Sequence, residues 1–311
     1  MAQFDYDIFS MEFHEDGITP LESISVIPDT HTVTVSTCIQ QMHKSQDQTY
    51  EGTSVDDATG ETFHYGMVTD GHGGDGCIQY LRSLSQQKLA EIIGKRNPVE
   101  TMAEIVNKNV KGAFCGGATM CLAKVYKDRI ECINCGDSRV AIFKNGELIY
   151  LSNEHNWENQ EERDRIIAKG GITFTPSRHI KIINKTQMVS KYSEYAKWES
   201  DNTMLACTQA LGSNGKTGYA PDHEIIPIIP GESYKVVIGS DGIWDMIIYE
   251  DIEDITQLAN MNATEGVTFI ISRWLQEWEM QEIGETEFYK ARYTRNQCDD
   301  VCMVAMDITP V

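Results

Sequence analysis

No apolar stretch of the 311-residue chain approaches the roughly 20 residues that span a bilayer, so no membrane-crossing helix is expected. Its first ten residues, Met1 to Ser10, are acidic and lack a basic n-region, so no secretory signal is expected either. The chain is poor in positive charge: 26 Lys and Arg stand against 47 Asp and Glu, a formal net charge of −21. Such a surface repels nucleic acid and anionic membranes, and neither is expected as a partner. It also repels phosphate esters at long range, so any phosphate chemistry needs local positive charge, which bound divalent ions can supply. A second CxxC is missing. Cys132 and Cys135 form the first, on a segment read as a strand, where residues three apart point to opposite faces; joint zinc binding is not expected. Nine cysteines without an export signal read as reduced thiols, which suggests the cytoplasm or another reducing intracellular compartment. No internal repeat or low-complexity linker breaks the chain. We read one domain over 31–311, monomeric, preceded over 1–30 by an acidic extension or peripheral strand.

The hydrophobic pattern supplies many strands and a few clustered helices. His31 to Ile39 alternates polar and β-branched residues and reads as a strand. Gln48 to Glu61 is polar and glycine-bearing and reads as a loop; Phe63 to Val68 is a strand. Cys77, Leu81, Leu84, Leu89 and Ile92 recur at helical spacing with Gly94 as a stop, predicting one helix. Val99 to Val110 follows as another, with Pro98 just before it. Thr119 to Tyr126, Arg129 to Cys135, Arg139 to Phe143 and Glu147 to Leu151 read as strands, and Asn145-Gly146 as a hairpin turn in which both residues accept positive φ. Glu158 to Lys169 reads as a charged helix ending at Gly170-Gly171. Tyr234 to Ser240 reads as a strand, Thr264 to Met280 as a helix and Val301 to Ile308 as a final strand. Ile172 to Thr203 is a Lys- and Tyr-rich insertion that the pattern does not place. The mixture argues for an α+β fold.

Four acidic motifs punctuate this framework. They are Thr69-Asp70-Gly71-His72-Gly73-Gly74, Cys135-Gly136-Asp137-Ser138-Arg139, Gly239-Ser240-Asp241-Gly242-Ile243-Trp244-Asp245 and Cys298-Asp299-Asp300-Val301. Three end an apolar run and the fourth opens one. A single Asp-Gly pair is most often an ordinary turn. Four acids at strand ends, drawn from distant parts of the chain, suggest a metal site, and oxygen-only ligands suit Mg²⁺ or Mn²⁺ rather than zinc.

The set, in this order, resembles the metal-dependent phosphatases of the protein phosphatase 2C family. Gly116-Gly117-Ala118-Thr119, Glu154-His155 with Arg165-Ile166 and Gly170-Gly171, and the stretch from Leu205 to Gly212 extend the likeness over positions 33 to 308. The resemblance implies two packed, mostly antiparallel β-sheets flanked by helices, a four-layer α-β-β-α sandwich with metals in the cleft between sheet edges. It implies a phosphatase-like catalytic domain acting on phosphoserine and phosphothreonine proteins. Asp70 would bridge two ions, the Gly71 carbonyl would be a ligand, and Asp241 and Asp299 would complete one site. Asp137 would hold a weaker third ion with Asp241. His72 would protonate the leaving oxygen or order waters. His155 falls in a motif expected to be structural.

The chain departs from that pattern at two places that bear on function. The family has an arginine five residues before an aspartate and a glutamate just before it. Here the aspartate is Asp47, counted with His72 as a catalytic position; Gln46 replaces the glutamate and Met42 the arginine. Glutamine can ligate without charge, so the second metal should be held more weakly. Methionine cannot clamp phosphate. If this stretch is a strand, Lys44 shares a face with Met42 and Gln46 and could serve as a point charge on phosphate, with His43 as the alternative if the register slips. Asp299 is the register match in the last motif, with Asp300 as a possible substitute. Two outcomes are therefore open: an active phosphatase with an altered phosphate clamp, or a weak or inactive relative that binds partners through the same fold. The lysines of the insertion (Lys181, Lys185, Lys191 and Lys197) could attract an acidic phosphosite or simply be solvated.

Overall fold

Ten strands carry the framework of this computed structural model, which describes residues 30–42, 44–112, 115–175, 178–184, 187–248, 251–282, 287 and 289–311. In chain order they are β1 (His31–Gln40), β2 (Gln48–Val55), β3 (Thr62–Thr69), β4 (Met120–Val125), β5 (Arg129–Cys135), β6 (Arg139–Lys144), β7 (Glu147–Leu151), β8 (Asp222–Pro227), β9 (Tyr234–Gly239) and β10 (Val301–Pro310). They form two five-stranded sheets, ordered β1-β10-β9-β6-β7 and β8-β5-β4-β3-β2. Every neighbouring pair is antiparallel. The N-terminal extension expected over 1–30 and His43 lie outside the described residues, apart from Thr30.

The sheets pack face to face, and alternation along each strand decides what fills the gap. Val68, Cys121, Ala123, Val236, Ile238, Val304 and Met306 meet between them. Their neighbours in sequence point outward. Met67, Met120, Leu122 and Ile133 turn to the helices α1 (Gly76–Ser83), α2 (Gln86–Ile93) and α3 (Pro98–Asn109). Val237, Met303 and Ala305 turn to a later helix, Ala263–Leu275. The result is the four-layer α-β-β-α sandwich. Strands buried on both faces read as unbroken apolar runs, which is why β10 carries Val301 to Met306 without a polar break. Cys132 faces the inter-sheet core and Cys135 the helices, as their spacing requires. All nine cysteines are free. Among the described residues no helix is long and apolar enough to cross a membrane.

Three expectations are corrected. Gln48–Val55 is an edge strand and not a loop: Thr49, Tyr50, Thr53 and Val55 suit a pleated ribbon, and the segment pairs with β3 along its whole length. Gly52 is required there because a Cβ would lie 2.9 Å from the Tyr65 hydroxyl across the ladder. The helix expected from Cys77 to Ile92 is two helices, broken where the Ser85 hydroxyl accepts from Lys88 N and caps the second. The helix expected to Met280 stops at Leu275, and Trp278–Glu282 is a strand. The insertion also acquires a place. Arg178–Asn184 and Gln187–Ser193 join Trp278–Glu282 and Tyr289–Ala291 in one sheet, while Ile172–Phe174, Ala196–Trp198 and Met204–Leu205 form another. The second covers a satellite core of Trp157, Ile166, Trp198 and Leu205, in which Ile166 belongs to α4 (Gln160–Ile167).

The helix Ala263–Leu275, now α5, begins with a capping box between Asn262 and Glu265. It fixes the segment after β9 through one buried ion pair. Arg273 donates to the Asp254 carboxylate and to Met246 O at 2.6 Å, while Asp254 accepts from Ile248 N at 2.8 Å. Both side chains are almost wholly buried. Removing one partner strands the other's charge, which costs about 3–5 kcal/mol at such sites. Asp254→Ala should therefore lower unfolding stability by about that much in a denaturant titration; a loss below about 1 kcal/mol would mean that water reaches Arg273.

Candidate metal centre

The acids reach one cleft from four distant points in the chain. Asp70 follows β3, Asp137 lies in the turn between β5 and β6, Asp241 follows β9, and Asp299 precedes β10. All four line a cavity of about 340 Å³ at the shared edge of the two sheets, together with Lys44, Gln46, Gly71 and His72. Asp47 is buried behind it.

Hydrogen bonds hold this edge in register. Thr119 N donates to Asp70 O at 2.8 Å, and Asp70 N donates to Thr119 Oγ1 at 3.0 Å. The same hydroxyl lies 2.7 Å from Ser138 Oγ, the residue after Asp137, so one side chain ties together the backbones that carry two of the acids. Glycine makes room for the neighbours. A Cβ on Gly71 would sit 2.3 Å from Ile78 Cγ1, and one on Gly117 would sit 2.6 Å from the His72 ring. Packing therefore accounts for Gly71 as directly as any approach of its backbone to an ion.

Asp299 and Asp300 have separate tasks. Asp300 is buried and accepts from Met42 N at 2.5 Å and from Gln46 N at 2.7 Å. It is a clamp on the loop that follows β1. Asp299 faces the cleft, where its two carboxylate oxygens receive Lys44 Nζ at 2.8 and 2.9 Å. The loop also corrects the reason given for Lys44. The strand ends at Gln40, and Ser45 takes a positive φ of 55°. Strand parity therefore does not apply: Met42 packs against the apolar cluster under α5, while Lys44 turns into the cleft. The Gln46 carboxamide donates to Asp75 at 2.7 Å.

Burial and mutual repulsion set the protonation of this group. Burial, then the charges of Asp241, Asp47 and Asp299, hold the Asp70 carboxyl well above its ordinary range. Burial and Asp241 push Asp137 up to about 8. Burial is the leading cause at Asp47, which rises to about 7 despite a bond from Ser240. Lys44 shows the opposite balance: burial works against its charge, yet Asp299, Asp241 and Asp70 outweigh it and hold the proton more tightly than usual. His72 is lowered to about 4 by burial and then by Lys44. Its Nε2 lies 3.5 Å from the Cys207 thiol, and Nδ1 has no hydrogen-bond partner among the described residues. His155 accepts from Gly136 N at 3.1 Å through Nδ1 and meets Asp222 at 3.4 Å through Nε2, outside the cleft.

The donor set fits hard divalent cations in charge and chemistry: carboxylates, a backbone carbonyl and a carboxamide line the cleft. Among the described residues, no three carboxylate, imidazole or thiol groups stand close enough to form a ready chelate. The site is thus a converging acidic cleft with Lys44 inside it. Sequence reasoning missed the neighbours that complete it. Cys207 lies in the Leu205 to Gly212 stretch, but its place beside His72 is visible only in three dimensions. Thr119 lies in a recognisable motif, but its two backbone bonds to Asp70 are visible only in three dimensions. Tyr195, in the insertion, and Met204, just after it, are both exposed and stand at the rim.

An aspartate that titrates higher in the folded state than in the unfolded one stabilises the fold fully below the unfolded value near 4. That contribution is lost as pH rises through the folded value. For Asp47 the window runs from about 4 to about 7. In chelator, Asp47→Asn should flatten the fall in Tm between pH 5 and 8 and raise Tm at pH 8. A variant whose melting profile parallels the wild type would show that Asp47 is ionised without penalty.

Comparison with known proteins places the chain in context. A sequence profile of the family described as Protein phosphatase 2C matches residues 33–273. The chain is 29% identical over 175 residues to Probable protein phosphatase 2C 42 of Oryza sativa subsp. japonica, covering 53% of this chain and 45% of that one. It is 24% identical over 276 residues to Protein phosphatase 2C 56 of Arabidopsis thaliana, covering 79% and 58%. The chain thus spans roughly half the length of these curated relatives. Among solved structures, a C. elegans sex determining protein superposes with a TM-score of 0.61 at 18% identity, covering 88% of this chain and 64% of that one. The serine-threonine phosphatase 2C from Toxoplasma gondii gives 0.55 at 14% identity, covering 88% and 94%. At such identities the likeness is one of fold.

Proposed function

The chain belongs to the protein phosphatase 2C family, and we propose that it is a metal-dependent phosphatase acting on phosphoserine and phosphothreonine in proteins. The observation that carries this reading is the convergence of Asp70, Asp137, Asp241 and Asp299 on one cleft at the sheet edges. In this proposal Asp70, the Gly71 carbonyl, Asp241 and Asp299 hold two Mg²⁺ or Mn²⁺ ions, Asp137 serves a weaker third with Asp241, and Gln46 contributes a neutral oxygen. When bound, such ions supply a nucleophile at neutral pH and neutralise charge on the transferring phosphoryl group.

The chain's own residues set the rest. The backbone of Asp70 is pinned by Thr119, which fixes the strand end that presents this acid to the cleft. Asp47, with its backbone oxygen fixed by Gln41 at 2.7 Å and Arg82 at 3.2 Å, orders the loop that carries Lys44. His72 stands at the cleft wall to order waters or to deliver a proton to the leaving oxygen. A neutral imidazole, as its burial favours, suits the first task in the metal-free protein. Lys44, with His43 as the neighbouring candidate, supplies positive charge toward phosphate in place of an arginine. Nine free thiols fit a reducing intracellular compartment.

A second reading has its own support. Met42 is packed away from the cleft, Lys44 is tied to Asp299 and Gln46 to Asp75, so the phosphate and second-metal positions differ from the family pattern. In that case the chain is a weak or inactive relative that binds partners through the same surface.

The two readings separate in one assay. Hydrolysis of p-nitrophenyl phosphate and of a phosphothreonine peptide should require Mn²⁺ or Mg²⁺, stop with chelator, and fall to background in Asp70→Asn and Asp241→Asn, both of which should remain folded. Turnover unchanged in either variant would sink the assignment of the cleft. No turnover in a folded wild-type protein would support the inactive relative.

A further inference from the structure

We propose that Lys44 is a tethered cation that competes with a divalent ion for Asp299, so that this lysine sets the metal affinity of the cleft. The inference rests on the cleft being a metal site, as above.

The contact is built and not incidental. Lys44 Nζ reaches both oxygens of Asp299, at 2.8 and 2.9 Å. Those are the oxygens an ion at that position would take, and an ammonium and an ion cannot share them. The loop delivering the lysine is fastened on both sides. Asp300 accepts from Met42 N and Gln46 N, and Arg82 donates to Ser45 O at 2.9 Å and Asp47 O at 3.2 Å. The positive φ of Ser45 turns the chain directly after Lys44. The side chain is 49% exposed against 16% for Asp299, so the ammonium can leave while the carboxylate stays in the cleft.

Charge explains why such a device is useful here. Asp70, Asp137, Asp241 and Asp299 line the cleft, and among the described residues lining it Lys44 is the lone lysine or arginine. It offsets part of their repulsion before metal arrives. Metal uptake then takes Asp299 and releases the ammonium into a cleft whose acids are already neutralised. There it becomes available to a phosphate oxygen, at the loop where the family arginine is replaced by Met42. One residue would thus lower metal affinity and couple metal loading to phosphate binding.

The test is Mn²⁺ binding to the full chain by titration calorimetry, without substrate. Lys44→Met should tighten Mn²⁺ binding by roughly two- to fivefold, the range expected when a partly exposed ion pair no longer has to be broken. Lys44→Gln should act in the same direction and guards against a misfolded Met variant. Lys88→Met, which removes an equal charge from the surface pair with Glu91, should leave the affinity unchanged. At saturating Mn²⁺, inorganic phosphate should bind more weakly to Lys44→Met than to wild type. Unaltered or weaker Mn²⁺ binding in both Lys44 variants would overturn the competition and leave the phosphatase reading standing. Equal tightening in Lys88→Met would overturn it too, by assigning the effect to net charge. No Mn²⁺ binding to any of the proteins would overturn both proposals together.

Discussion

Repulsion among carboxylates gathered in one partly desolvated cleft is the constraint to which the rest of this molecule responds. Four aspartates come from points spread over more than two hundred residues, and burial already disfavours the charge of Asp70 and Asp137. Such a group survives in a folded chain only if the surrounding structure forces it together. Two five-stranded sheets do so, because each acid sits at a strand end and the strand interiors are committed to a core that cannot shift. The core of the sandwich holds the acids in place against their mutual repulsion.

The local devices around the cleft follow from the same constraint. Thr119 and Ser138 tie the backbones of Asp70 and Asp137 to one hydroxyl pair, which fixes the acids without neutralising them. Asp300 fastens the loop opposite, and Lys44 brings in compensating charge. The buried Arg273–Asp254 pair works at longer range by fixing the turn after Asp241. Farther out, the overall charge of −21 makes the exterior unfavourable to phosphate. In the proposed reading, attraction would arise inside the cleft, from ions and from the lysine.

Much of the framework was legible in the sequence where one face of an element meets one environment. The alternation of His31 to Ile39, the double-sided apolar run of β10 and the Asn145-Gly146 turn, with φ of 51° and 86°, are local facts with local causes. The errors fell where a distant partner decided. Gln48–Val55 looks like a polar loop until β3 supplies its ladder and Tyr65 covers Gly52. Helical spacing ran through Leu84 because periodicity does not register a serine that caps a new helix. The insertion from Ile172 to Thr203 stayed unplaced because its strands pair with segments as far away as Trp278–Glu282.

The sequence by itself determined most of the order of elements and the α+β mixture, because apolar period and turn chemistry are written residue by residue; the sandwich and the meeting of the acids were legible only through the resemblance of its motifs to a known family. Only the tertiary structure decided between adjacent candidates. Asp300 became a clamp and Asp299 faced the cleft; Met42 went to the core and Lys44 to the acids. These choices turn on hydrogen bonds between a loop and residues more than 250 positions away. A bond of that kind fixes where a side chain points, and no local pattern records it.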